Sequence, residues 1–263
     1  MDATYHSLSQ RIIRRFALKE SEGQNRLLIA LAGPPGSGKS TIAAQVVHQV
    51  ASMPSGPSVV AVSVDGFHFS RATLRSLPNA TEALARRGAP WTFDGAAAAK
   101  LVQRLRDGAG KYSVTAPTFD HAVKDPVPDG LTVGPHVQVC ILEGNYLLSD
   151  EEPWDGIASI VDECWLIKVD TLLARSRVAE RHLKSGIEDT MEKALKRANE
   201  NDLVNGEYVM KHSEGRLVCG PPSPTPTESL RREGDNHPNV EHRNDTTPVE
   251  PSRHTATLTQ LFL

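Results

Sequence analysis

Cysteine is scarce. Cys140, Cys164 and Cys219 are the three in 263 residues, and no two form a C-x-x-C. Such spacing offers neither a thiolate metal site nor a disulfide framework. It suits a reducing compartment, so a cytoplasmic location is expected. Long apolar runs are missing: none approaches the ~20 residues of a membrane helix, so no membrane association is expected. No secretory hydrophobic stretch follows Met1. Charge of one sign is also lacking. The net charge of −3 gives no general electrostatic case for nucleic acid. No internal repeat is present. With 39% hydrophobic and 23% charged residues, most of the chain should fold, as one domain with additions.

What is present begins with "YHSLSQRIIRRFALKE", where Leu8, Ile12, Ile13 and Phe16 stand at helical spacing. Arg11, Arg14 and Arg15 suggest an import peptide, but Asp2, Glu20 and Glu22 oppose that reading. A helix docked on the core is expected. Beyond it, strands at Leu27–Leu31, Ser58–Asp65, Val137–Asn145 and Glu163–Asp170 alternate with helical stretches. Buried strands separated by helices predict an α/β fold with a mostly parallel sheet covered on both faces. Ligands of such sheets lie beyond the carboxyl ends of the strands. From about Ser213 the chain is rich in Pro, Ser, Thr and charge and has little apolar periodicity, so a disordered tail is expected over 213–263.

Between the first strand and its helix stands Gly33-Pro34-Pro35-Gly36-Ser37-Gly38-Lys39-Ser40-Thr41, which fits G-x-x-x-x-G-K-[ST]. Glycines let main-chain N–H groups converge on a phosphate, and the following helix points its positive end at the same anion. Lys39 brings a full charge to the outer phosphates, Ser40 a hydroxyl to Mg²⁺, and Thr41 a further phosphate contact. The expected fold is therefore a three-layer P-loop NTPase that holds a nucleoside triphosphate and Mg²⁺. Two more strands end in an acid followed by glycine: Asp65-Gly66 and Glu143-Gly144. Asp65 is the expected base and Glu143 the expected magnesium-side carboxylate; a loop-capping role is the alternative for each.

"GPPGSGKST", "VDGFHF", "RRGAPWTFD", "FDHAVKDP" and "LEGNYLL" occur in that order. Together they resemble the uridine kinase, phosphoribulokinase and pantothenate kinase group of P-loop kinases, and in particular bacterial fructose-transport-system kinase-like proteins and their fungal relatives. The similarity covers roughly residues 26–210. It implies ATP-dependent phosphorylation of a hydroxyl on a small metabolite, with the acid at Asp65 as base and that at Glu143 near magnesium. With the helix and tail read above, the expected division is an N-terminal helix over 1–25, a kinase domain over 26–212 and a disordered tail over 213–263.

On the acceptor side His68 would contact substrate, or else be a core histidine between Phe67 and Phe69. Arg87 would bind an anionic substrate group, Trp91 would stack on a ring or pack, and Asp120 and His121 would line the site beside Lys124. A polar loop around Pro117 and Pro126 explains the last group equally. Asp94 reads as a helix cap. Arg177, Arg181 and Lys184 share a helix face, expected as a cationic lid that stabilises the transferring phosphoryl. The family carries an acid where this chain has His182. Its last strand, near the adenine, is not found after Met210. A P-loop ATPase or nucleotide-binding regulator is the alternative function, although neither N-K-x-D nor L-S-G-G-Q is present.

Overall fold

The structure, a computed structural model, describes residues 2–120, 122–216 and, as backbone, 259–262. Strands β1 (Leu27–Ala32), β2 (Val59–Ser63), β5 (Val139–Glu143) and β6 (Glu163–Val169) pair in parallel. With β7 (Thr259–Phe262), antiparallel to β6, they form one sheet ordered β2-β5-β1-β6-β7. Every residue of β1 and β5 is buried, which is why both read as unbroken apolar runs.

The two-residue period of a strand divides those runs between two cores. Leu27, Ile29 and Leu31 of β1, Val139 and Ile141 of β5, and Trp165 and Ile167 of β6 face one side. There they meet Ile42, Val46 and Val50 of α2 (Lys39–Ala51) and Leu8, Ile12 and Phe16 of α1 (Asp2–Ser21). Leu28 and Ala30, Cys140 and Leu142, and Cys164 and Leu166 face the other side, against Leu101, Val102 and Leu105 of α5 (Gly95–Asp107) and Ile157 of α6 (Ile157–Ile160). The basic residues of α1 are tied to the sheet. Arg11 and Arg15 lie 2.6 and 2.7 Å from the buried carboxylate of Glu163, and Lys19 lies 2.6 Å from Asp162. Among the described residues no helix is long and apolar enough to cross a membrane.

Short helices α3 (Arg71–Arg75) and α4 (Ala80–Ala85) follow β2, and Asp94 caps α5 by accepting from Ala97 N at 2.9 Å. The stretch around Pro117 and Pro126 is not a polar loop. β3 (Val114–Asp120) and β4 (Asp125–Val133) form a two-stranded antiparallel sheet of their own. Proline lacks the ladder donor and argues against a central strand, but here each strand keeps a free edge and the register slips at Pro117. Helices α7 (Thr171–Lys184), α8 (Met191–Arg197) and α9 (Leu203–Ser213) follow β6, with a π-helical turn at Ala198–Asp202 between the last two.

Two expectations need correction. The tail is not uniformly irregular: Ser213 closes α9, a 3-10 turn covers Glu214–Arg216, and Thr259–Phe262 pairs with β6 as the fifth strand. A four-residue strand gives too short a pattern to read; its stability comes from the open edge of β6. Residues 217–258 of the expected tail lie outside the described residues. Cys140 is a free, buried thiol, but Cys164 is disulfide-bonded rather than reduced.

Candidate active site

The turn from β1 to α2 is built by two left-handed glycines, Gly36 (φ 79°) and Gly38 (φ 92°), a conformation that costs other residues energy. Gly36 also admits α7: a Cβ there would stand 2.6 Å from Ala174 O. The Lys39 ammonium lies inside the loop, donating to Gly33 O at 2.8 Å and Pro34 O at 3.1 Å. Burial lowers its pKa to about 8, against the opposing pull of the Glu143 and Asp65 carboxylates. Ser40 and Thr41, in the first turn of α2, are exposed.

Both acids come to this lysine. Glu143 ends β5 in register with Leu31 of β1 and Ser63 of β2. It is 7% exposed, and the nearby Ser63 and Ser40 hydroxyls favour its ionised form. Burial and the adjacent Asp65 carboxylate raise its pKa, while Lys39 and the two hydroxyls oppose the rise. Asp65 sits in a 3-10 turn, Val64–Phe67, after β2, its N–H directed at Ser63 Oγ at 3.4 Å. The His68 ring lies with Nδ1 2.7 Å from Asp65 O, against Phe93 (centroids 3.9 Å) and Phe119 (5.1 Å). His68 thus holds the main chain of the turn that presents Asp65. The Glu143 carboxylate and the Ser40 hydroxyl make an oxygen-only donor pair, the kind that suits Mg²⁺.

The glycine after each acid has a packing reason. A Cβ on Gly144 would lie 2.0 Å from Val64 Cγ2, and one on Gly66 would lie 2.2 Å from Pro117 O. The first contact lets the Asp65 turn close against the end of β5; the second seats it on β3. Because Pro117 O is a backbone atom of a paired strand, it cannot swing aside. Gly66→Ala should therefore lower the unfolding free energy by roughly 1–3 kcal/mol, the usual overpacking cost. Urea denaturation measures it, and an unchanged midpoint would contradict the contact.

The acceptor-side residues divide. Arg87, expected at an anionic group, is instead consumed by the protein. It pairs with Asp125 Oδ1 at 2.7 Å and donates to the carbonyls of Phe69 (2.9 Å) and Lys124, its guanidinium 5.5 Å above the Phe119 ring. It clamps the β3–β4 hairpin to the segment after β2. Asp120 accepts from the N–H of Ala122 and of Val123 at the hairpin tip, a local turn role. Lys124 reaches Gly186 O at 3.4 Å, joining that tip to the end of α7. Trp91 is 43% exposed, so core packing does not explain it. His121 lies outside the described residues.

The lid helix contacts the phosphate loop directly. Arg177 donates to Gly36 O at 3.3 Å, and the charge of Arg181 depresses the Lys39 pKa. His182 does not face the loop. It is buried, with Nε2 2.9 Å from Asp202 Oδ2, so the missing acid is replaced by one from the π-turn. Asp202 also lies 3.8 Å from Arg181. Gly206 of α9 packs on the loop: a Cβ there would stand 3.1 Å from Pro34 Cβ. Ser63, Tyr146, Asn201 and Asp202 carry no sequence signal of a role. Ser63 faces Glu143 only through strand register, and the Tyr146 hydroxyl donates to Gly88 O, 58 residues away.

No family model matches the chain. ATP-dependent kinase-like protein notR' of Aspergillus versicolor is 44% identical over 151 residues, 57% of this chain and 88% of that protein. A Schizosaccharomyces pombe protein provisionally named a uridine kinase is 41% identical over 189 residues, 72% of this chain and 80% of that protein. Among solved structures, a Silicibacter chain provisionally named a fructose transport system kinase superposes with a TM-score of 0.62 at 33% identity, covering 74% of this chain and 88% of that one. A phosphate loop at the end of β1, two strand-end acids around its lysine and these relatives agree: the chain belongs to the ATP-dependent P-loop kinases of the uridine kinase group.

Proposed function

We propose that this protein transfers the γ-phosphoryl group of ATP to a hydroxyl of a small metabolite. The observation that carries the reading is the mutual electrostatic contact of Lys39, Glu143 and Asp65 at the carboxyl edge of the sheet. The main-chain amides of residues 33–41 and the Lys39 ammonium bind and orient the phosphates. Asp65 accepts the proton of the incoming hydroxyl, its turn held by His68 and by the contact of Gly66 with β3. Arg177 and Arg181 supply positive charge where the moving phosphoryl spreads its own. Ser40 and Glu143 would hold Mg²⁺, which when bound neutralises charge on the outer phosphates.

Incubating the protein with Mg²⁺, ATP and pooled nucleosides, sugars and vitamins, then searching by mass for a phosphorylated product, tests the reading. A product is expected; ATP loss without one would favour a P-loop ATPase.

The low pKa of Lys39 sets a pH dependence. A lysine binds phosphate as the ammonium, and above pH about 8 the free protein holds Lys39 neutral. ATP binding must then take up a proton. The dissociation constant should rise between pH ~7.5 and ~9.5, toward about tenfold per pH unit at the alkaline end. Calorimetry in buffers of different ionisation enthalpy reads both affinity and proton uptake, and a flat profile would contradict the assignment.

A further inference from the structure

A groove of about 390 Å³ runs between the end of α4 and one face of α8 with the π-turn. None of Lys39, Asp65 or Glu143 lines it. Arg86 forms part of one wall; Lys193, Lys196 and Arg197 stand on the other. Lys193 is paired with Asp189 at 2.9 Å, and Arg86 donates to Glu200 O at 2.9 Å and Asn205 Oδ1 at 3.0 Å, but the other two cations hold their carboxylate neighbours loosely. Arg197 is 3.8 Å from Glu188 and Lys196 is 3.9 Å from Glu200, both beyond hydrogen-bond range. Two polar atoms in the lining are left over. Asn201 is 6% exposed and donates to Arg87 O at 3.1 Å, but its buried Oδ1 has no hydrogen-bond partner among the described residues. The buried Nε of Arg197 likewise has none. A buried acceptor and a buried guanidinium donor without partners each cost stability, which a ligand that meets both recovers.

We propose that this groove is a second ligand site, separate from the phosphate loop, that takes a phosphate monoester carrying a free hydroxyl. The phosphate meets Arg197 and Lys196, where fork and point-charge donors converge. The hydroxyl donates to Asn201 Oδ1. The volume is in the range of small-metabolite sites. Asn201 and Asp202 share one turn, so an occupant holds the turn from which the Asp202 pairs with His182 and Arg181 are made. This inference goes beyond the proposed reaction and does not depend on it.

The phosphate loop must be blocked in the test, because it binds phosphates itself. The full chain is saturated with Mg²⁺ and a non-hydrolysable ATP analogue, then titrated in about 150 mM salt, on the order of physiological ionic strength. The probes are inorganic phosphate, glycerol 3-phosphate and glucose 6-phosphate, with glycerol and glucose as controls and malate as a non-phosphate anion. Saturable one-site binding of at least one ester is expected, tighter than inorganic phosphate and absent for the parent alcohols. Lys193→Ala with Lys196→Ala, two exposed side chains, should weaken it about tenfold or more while leaving the affinity for the analogue unchanged. The proposal is overturned if neither ester binds saturably, if malate binds and the esters do not, or if the double variant binds the ester as the parent does.

Discussion

Asp65→Asn is expected to bind ATP as the parent does and to transfer phosphoryl ~10²–10⁴ more slowly, the usual scale for removing a general base. The substitution keeps the shape of the side chain, and the turn is held by contacts that do not use the carboxylate: the approach of Gly66 to Pro117 and the bond of His68 to Asp65 O. Folding should survive. One further effect separates the base from a mere neighbour. The Asp65 charge is among the causes raising the Glu143 pKa, so its removal should let Glu143 ionise at lower pH. An acid limb in the residual rate that shifts downward in pH would report this. Near-parental turnover in the variant would remove Asp65 from the proton-accepting role.

Lys39→Ala should damage both binding and turnover. Loss of a charged donor to phosphate costs about 1.5–3 kcal/mol, roughly a 10- to 100-fold weaker ATP complex. Turnover should fall further, because the ammonium also faces charge that develops during transfer. A second consequence follows from its neighbours. Lys39 opposes the raised pKa of Glu143, so the alanine variant leaves that buried carboxylate more readily protonated. Restoring activity to Lys39→Ala should therefore need higher pH as well as more ATP. Calorimetric titration and steady-state rates across pH check both, and an ATP titration matching the parent's would contradict the loop assignment.

The parallel sheet and the phosphate loop were legible because each writes a local signature. Strands buried on both faces read as continuous apolar runs, and the loop needs glycine, lysine and serine at fixed spacing. The two acids were legible because a strand-end acid followed by glycine is a short pattern with a steric cause, seen at Gly66 and Gly144. What escaped depends on partners far along the chain. Arg87 reads as a free cation until Asp125, 38 residues on, is seen beside it. His182 reads as a broken lid pair until Asp202 is found on the next helical segment. Asn201 meets the carbonyl of Arg87 across 114 residues. The hairpin was hidden by its own prolines, which a two-stranded sheet tolerates and a central strand does not.

The order β2-β5-β1-β6-β7 bears on how the protein is made. β6 leaves the ribosome with its outer row of main-chain N–H and C=O groups uncovered, and its partner at 259–262 is translated only after everything from 170 to 258. Nucleotide-binding machinery can assemble during that interval, since the loop, both acids and the lid arginines all precede residue 182. The exposed margin meanwhile is a template for pairing with other nascent chains. Slow elongation through the intervening stretch would lengthen that exposure, placing the hazard of misassembly late in synthesis.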